Sequence, residues 1–137
     1  MLSSVSSDAH TWNLVYLQLL LEELGWHVVN LGACTPDQVV IDACLSHRPN
    51  LVVISSVNGH GHLDGARLAE ALRGRPELRT IPAIIGGKLG VSGEVGGAHV
   101  HTLLEAGFDA VFEDGTDMRL FTGYVAALGE RRYAVAP

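Results

Sequence analysis

Short runs of β-branched and aliphatic residues alternate with longer amphipathic stretches along this chain. "HVVNL" (27–31), "LVVIS" (51–55), "AII" (83–85) and "AVF" (110–112) are apolar runs of the kind that fill parallel strands covered on both faces. Between them the helical period takes over. "TWNLVYLQLLLEELG" (11–25) puts Leu14, Leu17, Leu20, Leu21 and Leu24 on one broad face, and Gly25 stands where a helix closes. "TPDQVVIDACLSH" (35–47) opens with Thr35 as the expected N-cap, Pro36 at the first helical position and Gln38 where a capping box wants it. Three more helices are expected over 63–74, 99–107 and 117–129, and residues 130–137 read as a loose tail. Strand-then-helix units with helices too short for a bundle predict an α/β fold. The expectation is one domain, 1–137, built on a doubly wound five-stranded parallel sheet whose first strand comes from "MLSSVSS".

Composition narrows the classes. With 137 residues, 47% of them hydrophobic and 18% charged, the chain is a single globular domain able to bury a core. A formal charge of −6 leaves no basic face for a phosphate backbone, so no nucleic-acid partner is expected. No apolar stretch is long enough to span a bilayer, and the first residues do not form a signal peptide. No membrane partner is expected, and the cytoplasm is the expected location. Cys34 and Cys44 lack CxxC spacing and read as reduced thiols in or near the core.

In a doubly wound sheet, ligands sit beyond the carboxyl ends of the strands, where strand order reverses. The loops expected there are "SSDAHTW" (6–12), "GACTP" (32–36), "SVNGHGH" (56–62), "GGKLGVSGEVGG" (86–97) and "EDGTD" (113–117). Several are rich in glycine, serine or histidine, which suits a bulky ligand lying close to the main chain. Taken alone, Asp8 and His10 read more readily as a helix cap beside a surface imidazole than as a metal-ligating histidine backed by a carboxylate. His60 with His62, and His99 with His101, look like metal pairs but are more often plain surface residues. GxxxxGK[ST], GxGxxG after the first strand and GxSxG are all missing, which removes the P-loop, dinucleotide and serine-hydrolase readings.

Taken in order, "DAHTWN" (8–13), "SSV" (55–57) and "GG" (86–87) resemble the DxHxxG, SxL and GG signature of the cobalamin-binding domains of adenosylcobalamin mutases and methionine synthase. The stretch 25–61 looks particularly like the small subunit of glutamate mutase (methylaspartate mutase), and the likeness runs from Asp8 to about Leu128. The resemblance implies a flavodoxin-like domain that binds adenosylcobalamin. His10 would ligate cobalt from below, with Asp8 on its other ring nitrogen. Ser55 would hydrogen-bond the displaced base, and Gly86 and Gly87 would leave room for the nucleotide tail. Gly115 with Thr116 would line the tail slot, and Asn13, Val57 and Gly59 complete the implied cofactor-binding set.

The chain departs from that pattern in named places. Asn13 stands for the motif glycine, Val57 for the leucine of SxL and Asn58 for a tyrosine, and the first strand is short and polar. A side chain at 13 either weakens cobalamin binding or adds an amide hydrogen bond to the tail. By resemblance the chain is the cofactor-binding subunit of an isomerase, carrying no catalytic residue itself. A separate large subunit would bind the substrate, expected to be glutamate, in a heterotetramer-like assembly. The alternatives are a corrinoid carrier for methyl transfer and a flavodoxin-like binding or sensor module without catalysis.

Overall fold

The computed structural model describes residues 1–90 and 98–135; residues 91–97 of the long glycine-rich loop lie outside them. Four strands, β1 (Leu2–Ser3), β2 (Val52–Ser55), β3 (Ala83–Gly87) and β4 (Ala110–Glu113), form one parallel sheet in the order β1-β2-β3-β4. Five helices accompany them: α1 (Trp12–Glu23), α2 (Asp37–His47), α3 (Gly61–Arg73), α4 (Ala98–Ala106) and α5 (Met118–Val135).

Residue alternation along the strands sorts the core into two layers. Val52, Ile54, Ala83 and Ile85 face α2, α3 and α4, where they meet Val40, Leu68, Leu72 and Leu103. Val53 and Ile84 face the other way, against Leu14 and Leu21 of α1 and Phe121 and Val125 of α5. Burial on both faces is why these strands read as unbroken apolar runs.

Several sequence expectations are corrected. Among the described residues the sheet has four strands, not five, because "HVVNL" contributes only an isolated bridge, Asn30 to Leu2. Leu2 N–H donates to Val29 O and Leu31 N–H to Leu2 O, both at 2.9 Å. The stretch therefore lies beside β1, but a two-residue β1 is too short to support a longer ladder. Thr35 does not cap α2: its hydroxyl donates back to Gly32 O at 2.8 Å, Pro36 holds the cap position, and Gln38 bonds Asp42 instead. Cys44 is buried as expected, whereas Cys34 is exposed. Helix α5 continues past Gly129 to Val135, through most of the expected loose tail.

These connections fix where a site can form. The chain leaves β1, runs along its outer side at 29–31, then crosses back to β2 on its other side. Strand order therefore reverses between β1 and β2, and the crevice at their carboxyl ends is the ligand position of an open α/β sheet.

Candidate functional site

Asp8 sits at that crevice with none of its surface exposed. Its Oδ2 accepts hydrogen bonds from the Val57 N–H at 2.6 Å and the Ser56 hydroxyl at 3.1 Å, both just beyond β2. Its Oδ1 accepts from the His10 N–H at 3.0 Å and lies 2.6 Å from His10 Nδ1. Asp8 is thus no helix cap. The cap position of α1 belongs to Thr11, and the carboxylate ties the β1–α1 loop to the β2–α3 loop. Burial works to raise the Asp8 pKa, but the hydrogen bonds from Val57, His10 and Ser56 outweigh it and hold the group below its usual 3.8.

That ionised carboxylate settles the histidine tautomer. A carboxylate only accepts, so Nδ1 carries the proton and donates it, and in the neutral tautomer the lone pair is on Nε2. The His10 side chain is 61% exposed while its aspartate is fully covered. An imidazole turned to solvent, with one ring nitrogen held by a buried carboxylate, is the arrangement that orients a metal ligand and raises its basicity.

Beside this pair a cavity of about 290 Å³ opens between the sheet, α1 and the start of α5. Its lining brings together Asn13, Ser55, Val57, Gly86, Gly87, Gly115 and Thr116. Asp8 and His10 adjoin it through the Asp8–Val57 hydrogen bond. Gly59 is not among the lining residues: its N–H donates to Lys88 O at 3.2 Å, so it closes the neighbouring loop. Sequence reasoning missed Tyr16, Leu17, Phe112, Met118 and Phe121, which give the cavity its apolar walls. Tyr16 and Leu17 stand three and four positions after Asn13, a helical spacing that could have pointed to them. Nothing in the sequence marked Ser56 as a partner of Asp8.

Both glycines line the cavity, and packing within the sheet also calls for them. A Cβ on Gly87 would lie 2.1 Å from Ser56 O, and its φ is +112°. A Cβ on Gly86 would come within 3.0 Å of Phe112 O. Close approach of neighbouring strands demands these glycines before any ligand arrives. Gly115 differs, with a φ of +87° and open space around its Cβ position.

Three of the other histidines, His62, His99 and His101, take local partners. His62 Nδ1 lies 2.6 Å from Leu89 O, its ring packs on His99 at 4.0 Å between centroids, and His101 is 2.9 Å from Glu105. Among the described residues no three His, Cys, Asp or Glu side chains gather into a metal cluster, and no helix is long and apolar enough to cross a membrane.

Known proteins bear on these features. The glutamate mutase sigma subunit of Fusobacterium nucleatum subsp. nucleatum is 34% identical to this chain over 112 residues, 82% of each. Among solved structures, a cobalamin-binding protein from Desulfitobacterium hafniense superposes with a TM-score of 0.69 at 19% identity, over 98% of this chain and 58% of that one. The signal receiver domain of a histidine kinase from Syntrophus aciditrophicus superposes with 0.68 at 21% identity, over 95% and 89%. Those two likenesses establish the flavodoxin-like fold, and their pairing shows that the fold alone does not choose a ligand. The sequence does choose: residues 1–120 match the B12 binding domain, and the chain belongs to the B12-binding domain family.

Proposed function

We propose that the chain is the cobalamin-binding subunit of an adenosylcobalamin-dependent carbon-skeleton mutase, acting in the cytoplasm on glutamate to give 3-methylaspartate. A separate large subunit supplies the substrate site, in a heterotetramer-like assembly. The observation that carries the reading is the Asp8–His10 pair beside the cavity. His10 Nε2 would hold cobalt, and Asp8 fixes the ring through Nδ1. The cavity behind Val57 takes the nucleotide tail, with Ser55 and Thr116 as its polar contacts. When bound, the cofactor supplies a weak cobalt–carbon bond as the source of radical chemistry.

The name of the Fusobacterium relative supports both glutamate as substrate and the existence of another subunit. An exposed apolar stripe on α1 supports docking of that subunit next to the cofactor. Trp12 is 82% exposed, Tyr16 55% and Leu19 62%, and the stripe begins two residues after His10. Apolar surface of this kind on one helix face is typical of a surface that a partner covers.

The test is electron paramagnetic resonance of the protein loaded with cobalt(II) cobalamin. Nitrogen-15 histidine should change the axial hyperfine splitting in the wild type, and His10→Ala should abolish the change. A splitting insensitive to labelled histidine would refute ligation by His10. Glutamate isomerisation should require addition of the large subunit.

A further inference from the structure

Two side chains lining the cavity have incomplete hydrogen bonding. Asn13 Nδ2 donates to Ser55 Oγ at 2.8 Å, so the serine oxygen already serves as an acceptor, and its own proton goes to no group among the described residues. Asn13 Oδ1 is buried and accepts nothing. Both residues line the cavity. One donor, the Ser55 O–H, and one orphaned acceptor, Asn13 Oδ1, therefore belong to two hydrogen-bonded residues of the same cavity wall. A buried acceptor without a donor is costly, and a ligand that supplies the donor removes that cost.

We propose, on the basis of the cobalamin reading above, that Asn13 makes the slot selective for corrinoids whose lower base carries an exocyclic amino or hydroxyl donor. Dimethylbenzimidazole offers a ring nitrogen and two methyl groups. It can satisfy Ser55 and leaves Asn13 Oδ1 unpaired. A base with a ring nitrogen and an amino or hydroxyl group satisfies both. Sites built to hydrogen-bond a ligand group reject the analogue lacking it, because the protein's own buried polar atom is then stranded. The glycine of the related motif has no side chain with which to discriminate.

The experiment titrates the full chain with hydroxocobalamin and with its adenine-base counterpart, reading dissociation constants by calorimetry and visible absorbance. Adenine is the less basic ligand and leaves cobalt more readily, so the deciding quantity is how the affinity ratio changes on mutation. The wild type should favour the adenine-base corrinoid by about tenfold more than Asn13→Ala does, the worth of one neutral hydrogen bond. Asn13→Gly should behave like Asn13→Ala, and Asn13→Asp, which keeps an acceptor, should retain the preference. An affinity ratio unchanged between wild type and Asn13→Ala overturns the proposal and leaves the cobalamin reading intact. A ratio shifted towards dimethylbenzimidazole in the wild type also overturns it, by placing the amide nitrogen where the oxygen is assigned. Failure of both corrinoids to bind the wild type overturns the proposal together with the reading it rests on.

Discussion

Replacing Asp8 with asparagine tests the geometry on which the site depends. Both carboxylate oxygens face a backbone N–H that cannot reverse its polarity: Val57 N–H on Oδ2 and His10 N–H on Oδ1. Whichever way the new amide turns, its NH₂ group confronts one of them. If it replaces Oδ2, Ser56 can rotate to accept, but Val57 N–H is stranded. If it replaces Oδ1, the His10 N–H is stranded and the ring must turn Nδ1 into an acceptor, moving its proton to Nε2, the nitrogen proposed to meet cobalt. One stranded buried donor costs about 1–3 kcal/mol, and charge-assisted hydrogen bonds weaken as well, so a loss of about 2–3 kcal/mol is expected near neutral pH. Cobalamin affinity should fall about 10- to 100-fold, as for other groups that orient a metal-bound histidine. The pH dependence has a defined sign. A carboxyl whose pKa is lowered on folding contributes stability that is fully present above the unfolded value and is lost as pH falls through the folded one. Wild-type stability should therefore drop below pH 3.8, and Asp8→Asn should lack that component. Urea unfolding across a pH series, followed by tryptophan fluorescence, measures both effects. A variant within about 0.5 kcal/mol of wild type near neutral pH would refute the hydrogen-bond assignment, since ordinary surface substitutions fall in that range.

The remaining predictions concern the scaffold around the pair. Gly87→Ala should cost roughly 3 kcal/mol in thermal or chemical unfolding, because the new Cβ meets Ser56 O at 2.1 Å in a backbone conformation that strains any L side chain. Gly115→Ala, strained but unobstructed, should cost only about 1 kcal/mol in the same assay. Arg67 joins α2 and α3 to the β1–α1 loop through Asp37, Asp64 and Ser6. Its side chain is half exposed, so Arg67→Ala should lower stability by less than about 1 kcal/mol while speeding amide hydrogen exchange at Ser6 and Ser7.

Three of the four strands could be read from local pattern, for a simple reason. β2 and β3 are covered by helices on both faces, and the half-buried edge strand β4 still packs Val111 into one layer and Ala110 and Phe112 into the other, so apolar positions run on without alternation. β1 was harder to see, because only Leu2 and Ser3 form the ladder and a serine fills half of it. The stretch 27–31 has the composition of a strand, but ladder formation depends on a partner's length, which composition does not carry. The helix starts went astray where other hydrogen bonds took the capping groups: Thr35 turned back locally to Gly32, and Asp8 reached across the fold to Val57.

Sequence alone determined the chemistry available at the site: a carboxylate two residues before an imidazole, a serine after a buried strand, and glycines after the next. Residue order and spacing are properties of the chain, and they sufficed to connect it with cobalamin-binding domains. Only the tertiary structure decided what each group does. Asp8 is a capping residue or a carboxylate that ties two loops together depending on whether Ser56 and Val57, distant in sequence, come within reach of its second oxygen. Gly87 is required by the Ser56 carbonyl just beyond β2, and Asn13 acquires its orphaned oxygen only once Ser55 has taken the other end of its amide. Hydrogen bonds and steric contacts act over a few ångströms of space regardless of separation along the chain, so the partners that assign these roles exist only after folding.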